Sequence, residues 1–354
     1  MASHVIDEIN RCLQCKKPAC RQGCPINTPI PEMIGLLKEH RLIEAGELLF
    51  NNNPLSLVCS VICNHEQQCE GHCILGRKSN AVQISTIEHY ISDTCLDNMQ
   101  ISCLPDNGIA VAVIGSGPAG LAGAIQLARL GYRVTIFDSK DRIGGVMQYG
   151  IPEFRLPKSI LERFKDKLQN LGVRIRLNTT IGNALRIDNL FRDDYRAVFV
   201  GTGVWRPRTL GVKGESRGNV LFGIDYLANP RQHDLGQRVA IIGMGDTAMD
   251  VARTSLRHGA QQVTLYSRSN KAGGSREQQL YTQLDGAEFE FGKQIMEINE
   301  QGPLFRQLLF DENGQPCGEA EELLQAQADS VIIAVSQGPC RRLVDTTKGL
   351  EVDE

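Results

Sequence analysis

Apolar positions recur along the chain in two textures. In "PEMIGLLKEHRLIEAGELLFNNNP", Met33, Ile34 and Leu37, then Leu42, Ala45, Leu48 and Leu49, fall at helical spacing. Pro29 and Pro31 favour a helix start, and the Asn51–Asn53 run before Pro54 favours a stop. From Ile109 onward, short apolar runs alternate with amphipathic stretches. "IAVAVIG" predicts a buried strand, "AGLAGAIQLARLG" a helix ending at Gly131, and "RVTIFD" a second strand. "LPKSILERFKDKLQNLG" places Leu156, Ile160, Leu161, Phe164, Leu168 and Leu171 on one helical face, and "VRIRL" and "AVFVGTG" read as strands. "RVAIIGMGDTAMDVARTSLRHGAQQVTLYSR" then repeats the cassette of strand, glycine turn, helix and strand. The pattern predicts an α/β protein with two doubly wound, Rossmann-like domains preceded by a small all-α domain.

Each cassette carries a glycine turn. The first is Gly115-Ser116-Gly117-Pro118-Ala119-Gly120, a full G-x-G-x-x-G between strand and helix. Its first glycine permits the tight turn, its second lets the backbone approach a pyrophosphate, and its third lets helix and strand pack closely. The helix start offers free N–H groups and a positive dipole end. Asp138 follows at the end of the next strand, where a carboxylate would meet an adenosine ribose. The second turn is Gly243-Met244-Gly245-Asp246-Thr247-Ala248, with alanine in the third place. Aligning the cassettes puts Ser267 on Asp138, with Arg268 next. A missing acid beside an arginine suits a 2′-phosphate, which favours NADPH over NADH; the plainer alternative makes Arg268 a solvated surface residue.

Composition sharpens this picture. The chain has 354 residues, 42% hydrophobic and 22% charged, with a net charge of −3. No basic excess points to nucleic acid, and no apolar run could act as a secretion signal or span a bilayer, so the cytoplasm is the expected compartment. Twelve cysteines are present, ten of them between Cys12 and Cys103. In a reducing compartment such a cluster points to metal ligands rather than disulfides. The spacing is Cys12-x2-Cys15-x4-Cys20-x3-Cys24-Pro25, then Cys59-x3-Cys63-x5-Cys69-x3-Cys73. Three close cysteines followed by a fourth before proline have the form of ferredoxin ligands with one widened gap. Zinc is the alternative, but it usually pairs two short C-x2-C hooks, and only one occurs here. No C-x-x-C follows residue 108, which counts against a flavin disulfide reductase of the thioredoxin reductase type. His65 and His72 among the cysteines are expected on loop surface, and Cys95, Cys103, Cys317 and Cys340 as ordinary thiols.

With "RCLQCKKPACRQGCP", "CNHEQQCEGHC", "AVIGSGPAGL", "GGVMQYGIPEFRLPK", "VFVGTG" and "IIGMGDTAMD" in that order, the chain resembles the small-subunit family of NADPH-dependent glutamate synthase. It is similar too to the amino-terminal half of dihydropyrimidine dehydrogenase and to the large subunit of the bifurcating NADH-dependent ferredoxin:NADP oxidoreductase. The resemblance implies dinucleotide domains of the flavin reductase type and a helical domain with two [4Fe–4S] clusters. One cluster would take Cys12, Cys15, Cys20 and Cys73. The other would take Cys24, Cys63, Cys69 and a non-cysteine ligand matching Glu88, whose plainer alternative is an exposed helix carboxylate; Cys59 is left over. Gly144 and Gly145 would join the FAD site. The implied layout is a cluster domain at 1–92, a linker at 93–107 and an FAD domain from 108 to 213. An NAD(P)H domain at 214–338 would follow, then a return to a truncated FAD domain at 339–354. After Arg268 the family usually has a second basic residue and a proline-containing loop; here the sequence reads "SNKAGGS". The resemblance implies electron transfer between NADPH, FAD and the clusters, in either direction, with a catalytic partner subunit or a ferredoxin-like acceptor. A cluster-bearing docking subunit with an incomplete flavin domain is the alternative.

Overall fold

The computed structural model describes residues 3–182 and 185–352. Its first part is helical: α1 (Ser3–Arg11), α2 (Ala19–Gln22), α3 (Ile30–Lys38), α4 (Leu42–Asn52), α5 (Ser56–Ile62) and α6 (Ile84–Cys95). The long helical pattern is broken between α3 and α4, where His40 takes a left-handed φ of 61°. The two halves then fold on one another, burying Met33, Ile34 and Leu37 beside Ala45 and Leu49. On α6, Ile84, Ile87, Ile91 and Cys95 follow the helical period into the same core, each large apolar side chain contributing roughly 1.5–3 kcal/mol. Glu88 lies one position from this stripe and is buried with it, 6% exposed. The exposed-carboxylate alternative is therefore ruled out.

The first cassette forms β1 (Ala110–Ile114), α7 (Pro118–Arg129), β2 (Arg133–Phe137), α8 (Val146–Tyr149), α9 (Ser159–Asn170), β3 (Arg174–Arg176), α10 (Ile187–Arg192) and β4 (Tyr195–Val200). The strands make a parallel sheet in the order β3-β2-β1-β4, with Val113 opposite Ile136. Ile160, Leu161, Phe164 and Leu168 are buried on α9, as their spacing requires.

The second cassette contains β5 (Arg206–Pro207), β6 (Val220–Phe222), α11 (Gly223–Ala228), β7 (Arg238–Ile242), α12 (Asp246–Arg257), β8 (Gln262–Ser267), α13 (Arg276–Leu284) and β9 (Glu288–Phe291). An antiparallel sheet of β10 (Lys293–Asn299), β11 (Gly302–Phe310) and β12 (Pro316–Gln325) follows. Next come β13 (Ser330–Ile333), β14 (Gln337–Gly338), which pairs with β5, and α14 (Arg342–Asp345). The parallel sheet runs β6-β13-β7-β8-β9, so β13 returns to the middle of it. That strand, Ser330 to Ile333, is buried along its whole length, as a strand covered on both faces should be.

The chain divides into two compact units: Met1–Met147 with Glu153–Thr202 and Arg341–Glu354, and Gln148–Pro152 with Gly203–Cys340. The helical region and the first dinucleotide fold therefore share one unit. The segment expected as a linker lies against that fold: Leu104 N–H donates to Arg129 O (2.8 Å) and Asn107 N–H to Gly131 O (3.0 Å). Met99 is buried, and Arg163 on α9 pairs with Asp93 (2.5 Å) and Asp97 (3.0 Å). Among the described residues no helix is long and apolar enough to cross a membrane.

Candidate cofactor sites

Cys12 and Cys15 lie on the loop before α2 and Cys20 within it, and Cys73 comes from a loop about fifty residues further along the chain. All four line one pocket, together with Pro18, Ile34 and Val82. Gln14, between the first two cysteines, takes a left-handed φ of 50°. Burial pushes the Cys20 thiol up to about 11, with Cys73, Cys12 and Cys15 adding to the rise against a backbone hydrogen bond at Arg21. The Cys20 thiol thus resists ionisation unless a cation neutralises it, so metal binding there would release its proton.

A second group gathers around Glu88. Burial first, then the carboxylates of Glu70 and Glu88, raise the Cys69 thiol; Cys24 adds to this. The Cys63 thiol is raised by its hydrogen bond with Cys59, then by burial and by the charges of Cys59, Glu88 and Cys69. Cys24 Sγ lies 3.2 Å from Thr28 Oγ1. Burial pushes the Glu88 carboxyl up to about 8, with Cys59 adding to it, and Glu88 makes no hydrogen bond or ion pair among the described residues. A buried acid without a partner is costly unless it is neutral or binds a metal. Cys59, left over on sequence grounds, belongs to this group. Its hydrogen bond with Cys63 pulls the thiol down to about 7, and Asn53 Nδ2 donates to its sulfur at 3.2 Å. Neither Asn53 nor Thr28 carries a signal in sequence, because a short polar side chain in a loop is unremarkable there. Both residue sets suit thiolate-ligated clusters. Among the described residues no three His, Cys, Asp or Glu side chains are arranged around a single metal ion.

His72 is exposed, with Nδ1 2.6 Å from Gln68 O, whereas His65 is half-buried rather than on the surface, at the centre of a turn whose N–H groups point at its carbonyl. Cys95 is buried in the helical core, and Cys103, Cys317 and Cys340 are exposed free thiols.

The two glycine turns are built alike. Gly115 and Gly243 take φ values of 97° and 125°, and a Cβ on either would overlap a carbonyl oxygen of the neighbouring strand end, Gly201 or Ala334. The middle glycines differ from these. A Cβ on Gly117 would meet only Gly145 Cα, at 4.0 Å, and one on Gly245 would meet nothing within 4 Å. Packing forces the outer positions, and the middle ones are left open for a ligand to approach. Gly117 and Gly245 cap α7 and α12 with no side-chain hydrogen bond, and exposed Pro118 and Ala119 begin α7. The first-turn N–H groups thus lack a side-chain acceptor, as a phosphate site requires. At the first turn Gly144 N–H donates to Ser116 O (2.9 Å), and Gly145 packs against Gly117.

Asp138, expected to meet an adenosine ribose, is buried behind the first turn. It is 8% exposed; Oδ2 accepts from Ser116 N–H (2.7 Å) and Ser116 Oγ (2.5 Å), and Oδ1 accepts from Lys140 N–H (2.8 Å). The carboxylate thus pins the turn from within, with acceptor capacity left on Oδ1. At the second turn Ser267 Oγ reaches Ser269 Oγ at 2.8 Å. Arg268 is exposed and makes no hydrogen bond or ion pair among the described residues. The loop beyond it folds back onto the turn: Gly273 and Gly274 N–H donate to Met244 O (2.9 and 3.1 Å), and Ser275 N–H to Asp246 Oδ1 (2.9 Å). Thr247 is half-buried and Ala248 fully buried behind that turn. Lys271 and Arg276, which sequence reasoning did not single out, sit exposed on the same loop.

The family model described as dihydropyrimidine dehydrogenase domain II, 4Fe–4S cluster, matches residues 1–100. That described as pyridine nucleotide-disulphide oxidoreductase matches residues 109–354. Fold and matches together define an oxidoreductase in which a 4Fe–4S-type helical region precedes paired dinucleotide-binding folds. The chain is 34% identical to the glutamate synthase [NADPH] small chain of Escherichia coli (strain K12), across 94% of this chain and 76% of that one. It is 35% identical to the protein of the same name from Halomonas elongata, across 98% and 79%. The chain belongs to the glutamate synthase small-chain family. Among solved structures, FprA of Mycobacterium tuberculosis in complex with NADPH has a TM-score of 0.55 over 71% of this chain and 74% of that one; at 18% identity this shows a shared fold.

Proposed function

We propose that this chain is an electron-transfer module, moving electrons between NADPH, FAD and two [4Fe–4S] clusters and exchanging them with a partner subunit or carrier protein. The observation that carries the reading is the grouping of Cys12, Cys15, Cys20 and Cys73 around one pocket, in a chain that also has two open glycine turns. When bound, the nicotinamide supplies a hydride, the flavin accepts the pair and releases electrons singly, and each cluster carries one at a time.

The residues divide the work as follows. Cys12, Cys15, Cys20 and Cys73 hold one cluster, and Cys24, Cys63, Cys69 and Glu88 the other. Asn53 donates to Cys59, and Cys59 in turn accepts from the Cys63 thiol, so the pair tunes the charge of the second set. Gly117, Ala119 and Gly120 present backbone N–H groups to the FAD pyrophosphate, while Gly115 makes the tight turn and Pro118 starts the helix. Gly144 and Gly145 support that turn, and the free capacity of Asp138 Oδ1 receives a ribose hydroxyl. Gly243, Gly245, Asp246, Thr247 and Ala248 shape the NADPH turn, and Arg268 pairs with the 2′-phosphate, helped by Lys271 and Arg276. In domain terms, the cluster region runs to about residue 92, the FAD domain from 108, and the NADPH domain from 214 to 338. These compositions suit a cytoplasmic enzyme.

Anaerobic purification with iron, acid-labile sulfide and FAD measured per chain tests this. About eight irons, matching sulfide and one FAD are expected. Clusters without flavin would favour a non-catalytic relay, and zinc without sulfide would overturn the cluster assignment.

A further inference from the structure

The surface over the first cysteine pocket combines positive charge with exposed apolar side chains. Between Ile9 and Pro31, and again between Gly71 and Ile87, there is no Asp or Glu, although the whole chain is net negative at −3. These stretches carry Arg11, Lys16, Lys17, Arg21, Arg77 and Lys78. Arg11 is held by Glu8 (2.8 Å) and Arg21 by Glu32 (2.9 Å). Lys16, Lys17, Arg77 and Lys78 are exposed and have no acidic or hydrogen-bonding partner among the described residues. Lys16 and Lys17 lie between Cys15 and Pro18, both of which line the pocket. Arg77 and Lys78 end the turn that begins at Ile74, also in the lining. Two apolar side chains of the pocket lining are turned to solvent in these stretches, Leu13 at 59% and Ile74 at 39% exposure. Each directly follows a pocket cysteine, Cys12 and Cys73.

We propose that this face docks an acidic, one-electron carrier protein, whose apolar centre covers Leu13 and Ile74 and whose carboxylates face Lys16, Lys17, Arg77 and Lys78. The proposal rests on the reading of that pocket as a cluster site. A few exposed apolar residues inside a ring of unpaired like charges fit a transient contact: the charges steer encounter, and the small apolar centre excludes water from the shortest route to the cysteines. Four cations with no neighbouring acid discriminate against a basic partner, since like charges brought together are repelled.

The probe is a small acidic plant-type [2Fe–2S] ferredoxin, oxidised, with binding to the anaerobically purified full chain measured by biolayer interferometry. Basic cytochrome c and single-stranded RNA serve as comparison ligands. Iron and sulfide are counted on the same preparation, so absence of clusters would refute both readings, whereas clusters without ferredoxin binding would refute this one alone. The expected result is ferredoxin binding that weakens about tenfold or more between about 20 and about 300 mM salt. The combined variant Lys16→Glu, Lys17→Glu, Arg77→Glu, Lys78→Glu loses at least about tenfold in affinity, with iron content unchanged. Leu13→Ser with Ile74→Ser weakens binding severalfold and leaves the salt slope in place. Unchanged binding in the charge-reversed variant, or binding of cytochrome c or RNA in place of ferredoxin, would overturn the proposal.

Discussion

The two glycine turns share one backbone plan and diverge in what surrounds it. In both, the first glycine is enforced by the oxygen of a neighbouring strand end and the middle glycine is free of protein. At the third position the first turn needs Gly120, because a Cβ there would overlap the Gly115 carbonyl, whereas the second accommodates Ala248. After the second strand, the first cassette has Asp138, sealed against Ser116; the second has Ser267 and then three exposed cations, Arg268, Lys271 and Arg276, whose side chains are unpaired among the described residues. Under the proposed function, one fold would close around an uncharged ribose and the other would open to an extra phosphate. Two dinucleotide preferences would then follow from a few changed positions on one shared scaffold.

The widest gap between the cassettes is expected at the third turn position. Gly120→Val should shift α7 off β1, lowering the Tm of the full chain by several degrees and abolishing retained FAD. Ala248→Gly should cost about 1 kcal/mol, the ordinary price of a helix glycine. Equal effects in the two would break the comparison. Next comes the strand-end residue. Asp138→Ala leaves the Ser116 and Lys140 N–H groups without their acceptor in a buried turn, a loss of about 2–3 kcal/mol seen in thermal unfolding together with lower flavin content. Ser267→Ala should cost less than about 1 kcal/mol.

How far these contrasts can be read from sequence differs between parts of the molecule. Glycine spacing and strand alternation make both cassettes legible, because turn, strand and helix each leave a local pattern. The return of β13 between β6 and β7 is not legible: it pairs with strands about ninety and about a hundred and ten residues earlier, and nothing local marks that pairing. The engagement of Asp138 by Ser116 is hidden for the same reason, since a serine in a glycine turn looks like a spacer. In the helical region, the grouping of Cys73 with Cys12, Cys15 and Cys20 was implied by family resemblance; spacing alone leaves the partner open. Cys59 has no place in the ligand set that the resemblance implies, in which Glu88 joins three cysteines, although the fold puts it in hydrogen-bond contact with Cys63.

A smaller effect separates the cassettes at their coenzyme-selecting loops. Arg268→Ala should raise the Kd for NADPH about tenfold or more and leave that for NADH unchanged, as measured by fluorescence titration; adding Lys271→Ala should extend the loss. An equal loss for both coenzymes would reject a 2′-phosphate role. The smallest expected effect concerns Asp329, which accepts from the N–H groups of Gln237 and Arg238 and pairs with Arg238 at 2.7 Å. Chiefly the Arg238 guanidinium holds its carboxyl down at about 2. A depressed carboxylate stabilises the fold above its unfolded value near 3.8 and loses that contribution as pH falls through about 2. Asp329→Ala should therefore lower the Tm by no more than about 2 °C at neutral pH, and the difference from wild type should vanish in strong acid.

The most direct measurement is anaerobic titration of the purified full chain with NADPH, followed by visible absorbance and by electron paramagnetic resonance. The account predicts that NADPH bleaches both the flavin and the iron–sulfur absorbance and produces a resonance signal from reduced clusters, and that Arg268→Ala requires more NADPH to do so. Cluster colour that dithionite bleaches but NADPH leaves untouched would contradict it.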